Sequence, residues 1–275
     1  MQKPLDGRVA IVTGGGGEIG GASARALAAM GARIAVVDLN SEAAALVVDA
    51  LRRDGHEALA IACDVADESS VRAMVEQTLA SFGRIDAMYA AAAALGQEMQ
   101  QRDLDVATMD IEIWDRAMAV NLRGPMLCTK HILPTMLEQG SGSIIYASSG
   151  LAFQGEISRS AYSASKIGLI ALARSVATQY GRKGIRANAI QTGFVPPIHS
   201  KKPTLPAVQE ILGQQNLIPH ILRPENIADV VAFLVSDASV AITGQAVVAD
   251  GGFSAHTPTM KDMLALLEKT HRSEI

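Results

Sequence analysis

Aromatic side chains make up only 4% of the 275 residues, with a single Trp. Cysteine is almost absent too: Cys63 and Cys128 are the only two. So few thiols exclude a disulfide-built scaffold and a cysteine-ligated metal knuckle. The six histidines (His56, His131, His199, His220, His256 and His271) show no metal-ligand spacing, so no metal is expected. No apolar run approaches the roughly 18 residues of a membrane span. The opening Met-Gln-Lys-Pro-Leu-Asp-Gly-Arg has no signal-like apolar stretch, and a cytoplasmic location is the expectation. Charged residues amount to 19%, and the formal net charge is −4, which excludes the basic footprint of a nucleic-acid binder. With 49% hydrophobic residues, disorder is excluded as well. What the chain has in quantity is small residues: 45 Ala and 24 Gly, about a quarter of it. Such residues suit close packing of helices on a sheet, or backbone brought up to a ligand.

Short apolar runs alternate with longer helical patterns. Strands are expected at 8–13, 33–38, 57–63, 85–89, 143–148, 185–191 and 246–249. Helices are expected at 18–30, 41–54 (with Ser41 as N-cap), 67–82, 113–139, 161–181 and 226–236, the fourth interrupted near Asn121 by Gly124-Pro125. Strands that alternate with helices need right-handed crossovers, hence a parallel, doubly wound α/β sheet. No linker or internal repeat divides it. One catalytic domain (1–253) is expected, with a proline-rich substrate lid at 194–223 and a helical extension at 254–275.

Glycines 14–17 lie between the first strand and the first helix, where backbone amides and a helix N-terminus can face a pyrophosphate. Asp38 ends the second strand, 18 residues beyond Gly20. A carboxylate there accepts from ribose hydroxyls and repels a 2′-phosphate, and 14–20 contains no Lys or Arg to attract one. NAD is therefore the expected cofactor. Asp64-Val65, after the third strand, is placed to meet the adenine.

Tyr162 and Lys166 are four apart in an expected helix, so they share a face. An ammonium near a phenol favours the phenolate, and a phenol near working pH can exchange a proton with an alcohol. Ser149, at the end of the fifth strand, can hydrogen-bond the same oxygen. Asn121 interrupts a helix where freed backbone groups can hold a water.

These residues together resemble the short-chain dehydrogenase/reductase family. The likeness runs from about Leu5 to Phe253 and is carried by Thr13-Gly-Gly-Gly-Gly-Glu-Ile-Gly20, Asp64-Val65, Asn121-Leu-Arg-Gly124, Ser149, Tyr162-Ser-Ala-Ser-Lys166, Ile185-Arg-Ala-Asn188 and Asp250-Gly-Gly252. The resemblance implies a single-domain Rossmann fold with a seven-stranded parallel sheet. It implies Tyr162 as general acid/base, Lys166 lowering its pKa and binding the nicotinamide ribose, Ser149 orienting substrate, and Asn121 holding a water of a proton relay. It assigns cofactor contacts to Gly14, Gly17, Glu18, Ile19, Gly20, Asp38, Leu39, Asp64, Val65, Ala91, Tyr162, Lys166, Thr192, Gly193 and Val195. It also implies a homotetramer built through the helices around Asn121 and Tyr162.

Three positions depart from the family pattern. Glu18 replaces the middle glycine of the turn, and is expected to turn to solvent while Gly17 takes over the close approach. Ala90-Ala91-Ala92-Ala93 stands in place of Asn-Asn-Ala-Gly, removing side-chain amides. Thr192-Gly193 stands for Pro-Gly.

The expected activity is NAD-dependent interconversion of a secondary alcohol and a ketone. A hydrophobic cyclic, steroid-like or aromatic substrate is favoured over a 3-oxoacyl group or a sugar. The mainly apolar candidate pocket comprises Leu95, Leu151, Phe153, Gln154, Val195, Pro196 and 198–215, with Lys201 and Lys202 as its cations. The long 95–114 segment is expected to wall it. The non-enzymatic alternative is an NAD-binding regulator without turnover. In the tail, Met260, Met263, Leu264 and Leu267 form one helical apolar face, expected to pack across a subunit boundary or near a neighbour's active-site mouth.

Overall fold

The computed structural model describes residues 3–197 and 204–273. In chain order the elements are β1 (Val9–Thr13), α1 (Glu18–Ala29), β2 (Arg33–Asp38), α2 (Ser41–Arg53), β3 (Ala58–Ala62), α3 (Glu68–Phe82), β4 (Ala87–Ala90), α4 (Gln97–Arg102), α5 (Ile111–Met118), α6 (Gly124–Gln139), β5 (Gly142–Ser149), α7 (Ser160–Tyr180), β6 (Ile185–Thr192), α8 (Pro206–Gly213), α9 (Pro224–Val235), β7 (Ala246–Ala249) and α10 (Met260–Ser273). All seven strands pair in parallel, in the order β3-β2-β1-β4-β5-β6-β7. This is the doubly wound sheet expected from the alternation.

Both faces of the sheet are covered, which is why its strands read as near-continuous apolar runs. Along β1, Ala10 and Val12 pack with Leu27 of α1, Val48 of α2 and Val231 of α9. Ile11 points the other way, into the layer containing Met74 of α3, Ile132 of α6 and Leu169 of α7. The strand order turns between β1 and β4, the place where ligands bind in open α/β sheets. The Gly-rich turn follows β1, and the 90–93 alanines close β4 at the same edge.

Some local expectations need correction. Asn40, not Ser41, caps α2; its Oδ1 accepts from the amides of Glu42 and Ala43, both at 3.1 Å. An Asx side chain one residue earlier reaches those donors while its backbone stays extended. The long helix expected at 113–139 does not break at Gly124-Pro125. It widens into a π turn over Ala119–Arg123 and continues as α6. α4 and α8 fall in stretches read as irregular. α4 shows no apolar period in the sequence, and α8, though Val208, Ile211 and Leu212 share a helical face, has no buried residue.

Candidate active site

Steric room dictates the glycines of the first turn. Gly14 has φ +66°, and a Cβ there would stand 2.8 Å from the Ala92 nitrogen. A Cβ on Gly20 would stand 2.2 Å from the Gly14 carbonyl oxygen. The turn is therefore folded onto itself and onto the chain after β4. Gly17, extended and exposed, precedes α1 without any side-chain cap, so first-turn amides of α1 have no capping side chain from it. Asp38 is part-buried at the end of β2. Its Oδ2 accepts from Gly16 N–H at 3.0 Å, and its Oδ1 from Asn40 N–H at 2.9 Å. Leu39 beside it is 72% exposed.

Glu18 does not turn fully to solvent: it is half-buried in the first turn of α1, next to the half-buried Ile19. A carboxylate there is favoured by the helix dipole. The alanines after β4 keep the backbone ties. Ala91 N–H donates to the Thr13 carbonyl at 3.2 Å, and Ala92 N–H to Thr13 Oγ1 at 3.3 Å. Asp64 is exposed and its Oδ1 caps Ala66 N–H at 2.9 Å. Val65 is buried, within 2.8 Å of where a Cβ on Gly124 would stand. Gly193 donates its N–H to Ala249 O at 3.0 Å, and Thr192 Oγ1 donates to Ser148 O at 3.2 Å. Val195 is half-buried and packs on the α1/α9 layer.

At the far side of the switch point, β5 delivers Ser149 and α7 delivers Tyr162 and Lys166. The Ser149 side chain acts on the Tyr162 phenol by pulling its pKa down, and Leu151 N–H donates to Ser149 Oγ at 3.3 Å. Lys166 is 3% exposed, and its ammonium donates to the Ala147 carbonyl at 2.7 Å. It lies 5.4 Å from the centroid of the Tyr162 ring.

Burial pushes the Tyr162 pKa up; the Ser149 hydroxyl and the Arg159 charge pull it back down. Burial also lowers Lys166, to about 8. Asn121 stands in the widened turn between α5 and α6. Fully buried in the π turn, its side chain is occupied: Oδ1 accepts from Ala94 N–H at 2.7 Å, and Nδ2 donates to Ser165 Oγ at 3.1 Å. That pins the chain after β4 to the Tyr162 helix and leaves any water to the widened backbone.

Sequence reasoning missed two buried groups. Tyr89 of β4 is 1% exposed, and its hydroxyl finds no hydrogen-bond partner among the described residues. It reads as an ordinary strand aromatic. Asp103 is 1% exposed and accepts from the amides of Ala161 at 3.0 Å and Tyr162 at 2.9 Å. No local pattern announces a contact spanning 59 residues. In the pocket region Leu95 and Phe153 are exposed, while Leu151, Gln154, Val195 and Pro196 are half-buried. The expectations for 198–203, Lys201 and Lys202 included, lie outside the described residues.

A dinucleotide fits this edge. The glycine cradle would be filled by a Cβ, α1 opens on an uncapped end, Asp38 presents a carboxylate, and Lys166 and the unpartnered Tyr89 hydroxyl add polar groups beyond. A family model described as enoyl-(acyl carrier protein) reductase matches residues 16–254. The chain is 39% identical to the cis-4-hydroxycyclohexanecarboxylate dehydrogenase of Sinomonas cyclohexanicum, covering 90% of this chain and 97% of that one. It is 36% identical to the 2,5-dichloro-2,5-cyclohexadiene-1,4-diol dehydrogenase of Sphingobium indicum, over 91% and 98%. The crystal structure of a putative short-chain dehydrogenase/reductase from Burkholderia xenovorans superposes with a TM-score of 0.83 at 28% identity, over 93% and 99%. The chain belongs to the short-chain dehydrogenase/reductase family. It is a nicotinamide-dependent oxidoreductase acting between alcohol and ketone. No helix among the described residues is long and apolar enough to cross a membrane.

Proposed function

We propose that this enzyme oxidises a secondary alcohol on a hydrophobic six-membered ring, with NAD as cofactor and Tyr162 as base. The observation that carries it is the buried Lys166 ammonium 5.4 Å from the Tyr162 ring on α7, with Ser149 closing β5 at the C-terminal edge of the sheet. Gly14, Gly17, Glu18, Ile19 and Gly20 would cradle the pyrophosphate, Asp38 and Leu39 the adenosine ribose, and Asp64 and Val65 the adenine. Ala91, Thr192, Gly193, Val195, Tyr162 and Lys166 would border the nicotinamide half. When bound, NAD supplies the hydride acceptor.

The protein's own part is proton transfer and positioning. Ionised Tyr162 takes the hydroxyl proton of the alcohol at Oη. Ser149 Oγ donates to the substrate oxygen as it becomes a carbonyl oxygen. Lys166 in its protonated form offers a positive charge to the phenolate, in a site where burial strengthens the interaction. In the reverse direction Tyr162 gives the proton back. Asn121 acts by holding α7 against the chain after β4.

The ring substrate is supported by the half-buried apolar residues Leu151 and Val195 and by the names of the two cyclohexane-type relatives. We further propose 194–223 as the substrate lid and a homotetramer assembled through the helices flanking Asn121 and Tyr162, where Met126 and Ile167 are exposed. The buried free thiols Cys63 and Cys128 suit a cytoplasmic location; burial pushes Cys128 up to about 12, so it is inert as a nucleophile. A substrate panel tests the reading: hydroxycyclohexanecarboxylates, hydroxysteroids, aryl alcohols, hexoses and 3-hydroxyacyl thioesters, each with NAD and NADP. Turnover of cyclic alcohols with NAD is expected. Turnover confined to hexoses or acyl thioesters would overturn the substrate class.

A further inference from the structure

Among the described residues three carboxylates are nearly sealed from solvent: Asp86, Asp103 and Asp250. Two of them are satisfied close by. Asp86 pairs with Arg84 and accepts from Val9 of the neighbouring strand, and Asp250 caps its own turn at Gly252 and Ser254. Asp103 is different, because both of its oxygens are spent on the start of the helix that carries Tyr162.

A helix leaves its first amides without partners, and an N-cap side chain normally satisfies one or two of them. The N-cap position of α7 is Arg159, whose side chain makes no cap hydrogen bond and whose backbone is left-handed at φ 61°. Asp103 supplies what Arg159 lacks. Its Oδ1 accepts from Ala161 N–H at 3.0 Å and its Oδ2 from Tyr162 N–H at 2.9 Å. Its main-chain carbonyl accepts from Arg159 N–H at 2.8 Å. One residue thus grips the entry to the helix at three points, two of them charge-assisted.

Asp103 is itself held. It closes α4, donating its own N–H to the Met99 carbonyl at 2.9 Å. The adjacent Arg102 pairs with Asp110 and with Glu98 of α4, and Arg116 of α5 pairs with the same Glu98 at 3.2 Å. The segment between β4 and α5, the proposed pocket wall, is therefore clamped to α5 on one side and to the first turn of α7 on the other.

We propose that Asp103 is a positioning residue for Tyr162. It acts as a cap delivered from 59 residues away, sets the first turn of α7, and thereby fixes where the phenol stands. It also ties the acid/base group to the wall of the substrate cleft. This inference rests on Tyr162 being the acid/base group.

The test compares Asp103→Asn, Asp103→Ala and Tyr162→Phe in the full-length enzyme. The readouts are kcat and KM for the best cyclic alcohol, NAD affinity by calorimetry, and the thermal midpoint, with rates expressed per folded enzyme. Displacement of a reacting group by about 1 Å costs on the order of a hundredfold in rate. Asp103→Ala is expected to lose roughly that in kcat, and Asp103→Asn, which keeps one acceptor oxygen, about tenfold. KM and NAD affinity should hold within about threefold, because the glycine cradle lies on the other half of the sheet. A purely structural role would lower the midpoint and leave kcat per folded enzyme unchanged, and that result would overturn the proposal. If Asp103→Ala does not fold, Asp103→Asn decides by the same criterion. The two readings fail separately. An active Tyr162→Phe refutes the acid/base assignment, whereas an inactive Tyr162→Phe beside a fully active Asp103→Asn refutes only the positioning role.

Discussion

Replacing Asp38 with Asn tests how the enzyme chooses between NAD and NADP. The carboxylate sits at the end of β2, accepting from Gly16 and Asn40 amides at 3.0 and 2.9 Å. No cation pairs with it among the described residues, so its charge faces the ribose site uncompensated. A 2′-phosphate at that ribose would bring a second negative charge to within about 4–5 Å. At an effective dielectric near 20 this costs about 3–4 kcal/mol per charge pair. Asp38 is only part-buried, and solvent screening cuts the cost to about 2 kcal/mol. A lost hydrogen bond from ribose to a charged acceptor adds about 1.5–3 kcal/mol. Together these predict a preference for NAD of roughly a thousandfold in kcat/KM, since 1.4 kcal/mol is tenfold. Asp38→Asn keeps one acceptor oxygen and removes the repulsion. Its NAD kcat/KM should fall about tenfold and its preference shrink to within about tenfold. Steady-state rates with both cofactors, for both proteins, provide the assay. A wild-type enzyme that uses NADP as well as NAD, or an unchanged preference in Asp38→Asn, would refute the reasoning.

Three further outcomes are expected. Lys166 loses its proton near pH 8 in the fold, against about 10.5 unfolded, so between those values the unfolded chain binds more protons and wild-type stability climbs with pH. Relative to Lys166→Met, urea unfolding should show a gain of about 2–3 kcal/mol from pH 7 to 10; above pH 10 the raised Tyr162 pKa works in the opposite sense. Gly14→Ala places a Cβ 2.8 Å from the Ala92 nitrogen at a left-handed backbone position, so it should cost about 2 kcal/mol or more in thermal or urea unfolding and lose measurable NAD binding by calorimetry. Deleting residues 260–275 removes a helix whose Met263, Leu264 and Leu267 are each about half exposed on the single chain and whose Lys261 bonds Gln214 within the proposed lid. We expect reduced assembly mass by light scattering or weaker substrate affinity, and neither changing would dismiss an interface role for the tail.

The fold was legible because its signals are local and periodic. Apolar strands buried on both faces, glycine stops after helices and the β–α alternation leave few topologies for a parallel sheet. Cofactor-end residues such as Gly14, Gly20 and Asp38 were legible for the same reason: each sits at a strand end whose place the alternation dictates. The interior wiring was not. Asn121 reads as a helix interruption, yet its role comes from partners at Ala94 and Ser165, 27 and 44 residues away. Asp103 lies in a stretch without period, and its partners appear only when α7 packs beside α5. The burial of Lys166 could not be read from the Tyr-x3-Lys spacing, which places both groups on one face without saying how dry that face is. The Ala90–Ala93 departure resolves into backbone geometry: Thr13 takes the amide hydrogen bonds at 3.2 and 3.3 Å, and small side chains admit the close approach of Gly14.

Oxidation of cis-4-hydroxycyclohexanecarboxylate with NAD, compared between wild type and Tyr162→Phe, tests the central claim most directly. Removing the phenolic oxygen takes away the group proposed to carry the alcohol proton. The predicted result is a loss in kcat of about a thousandfold with calorimetric NAD affinity unchanged. A Tyr162→Phe enzyme turning over within tenfold of wild type would contradict the account.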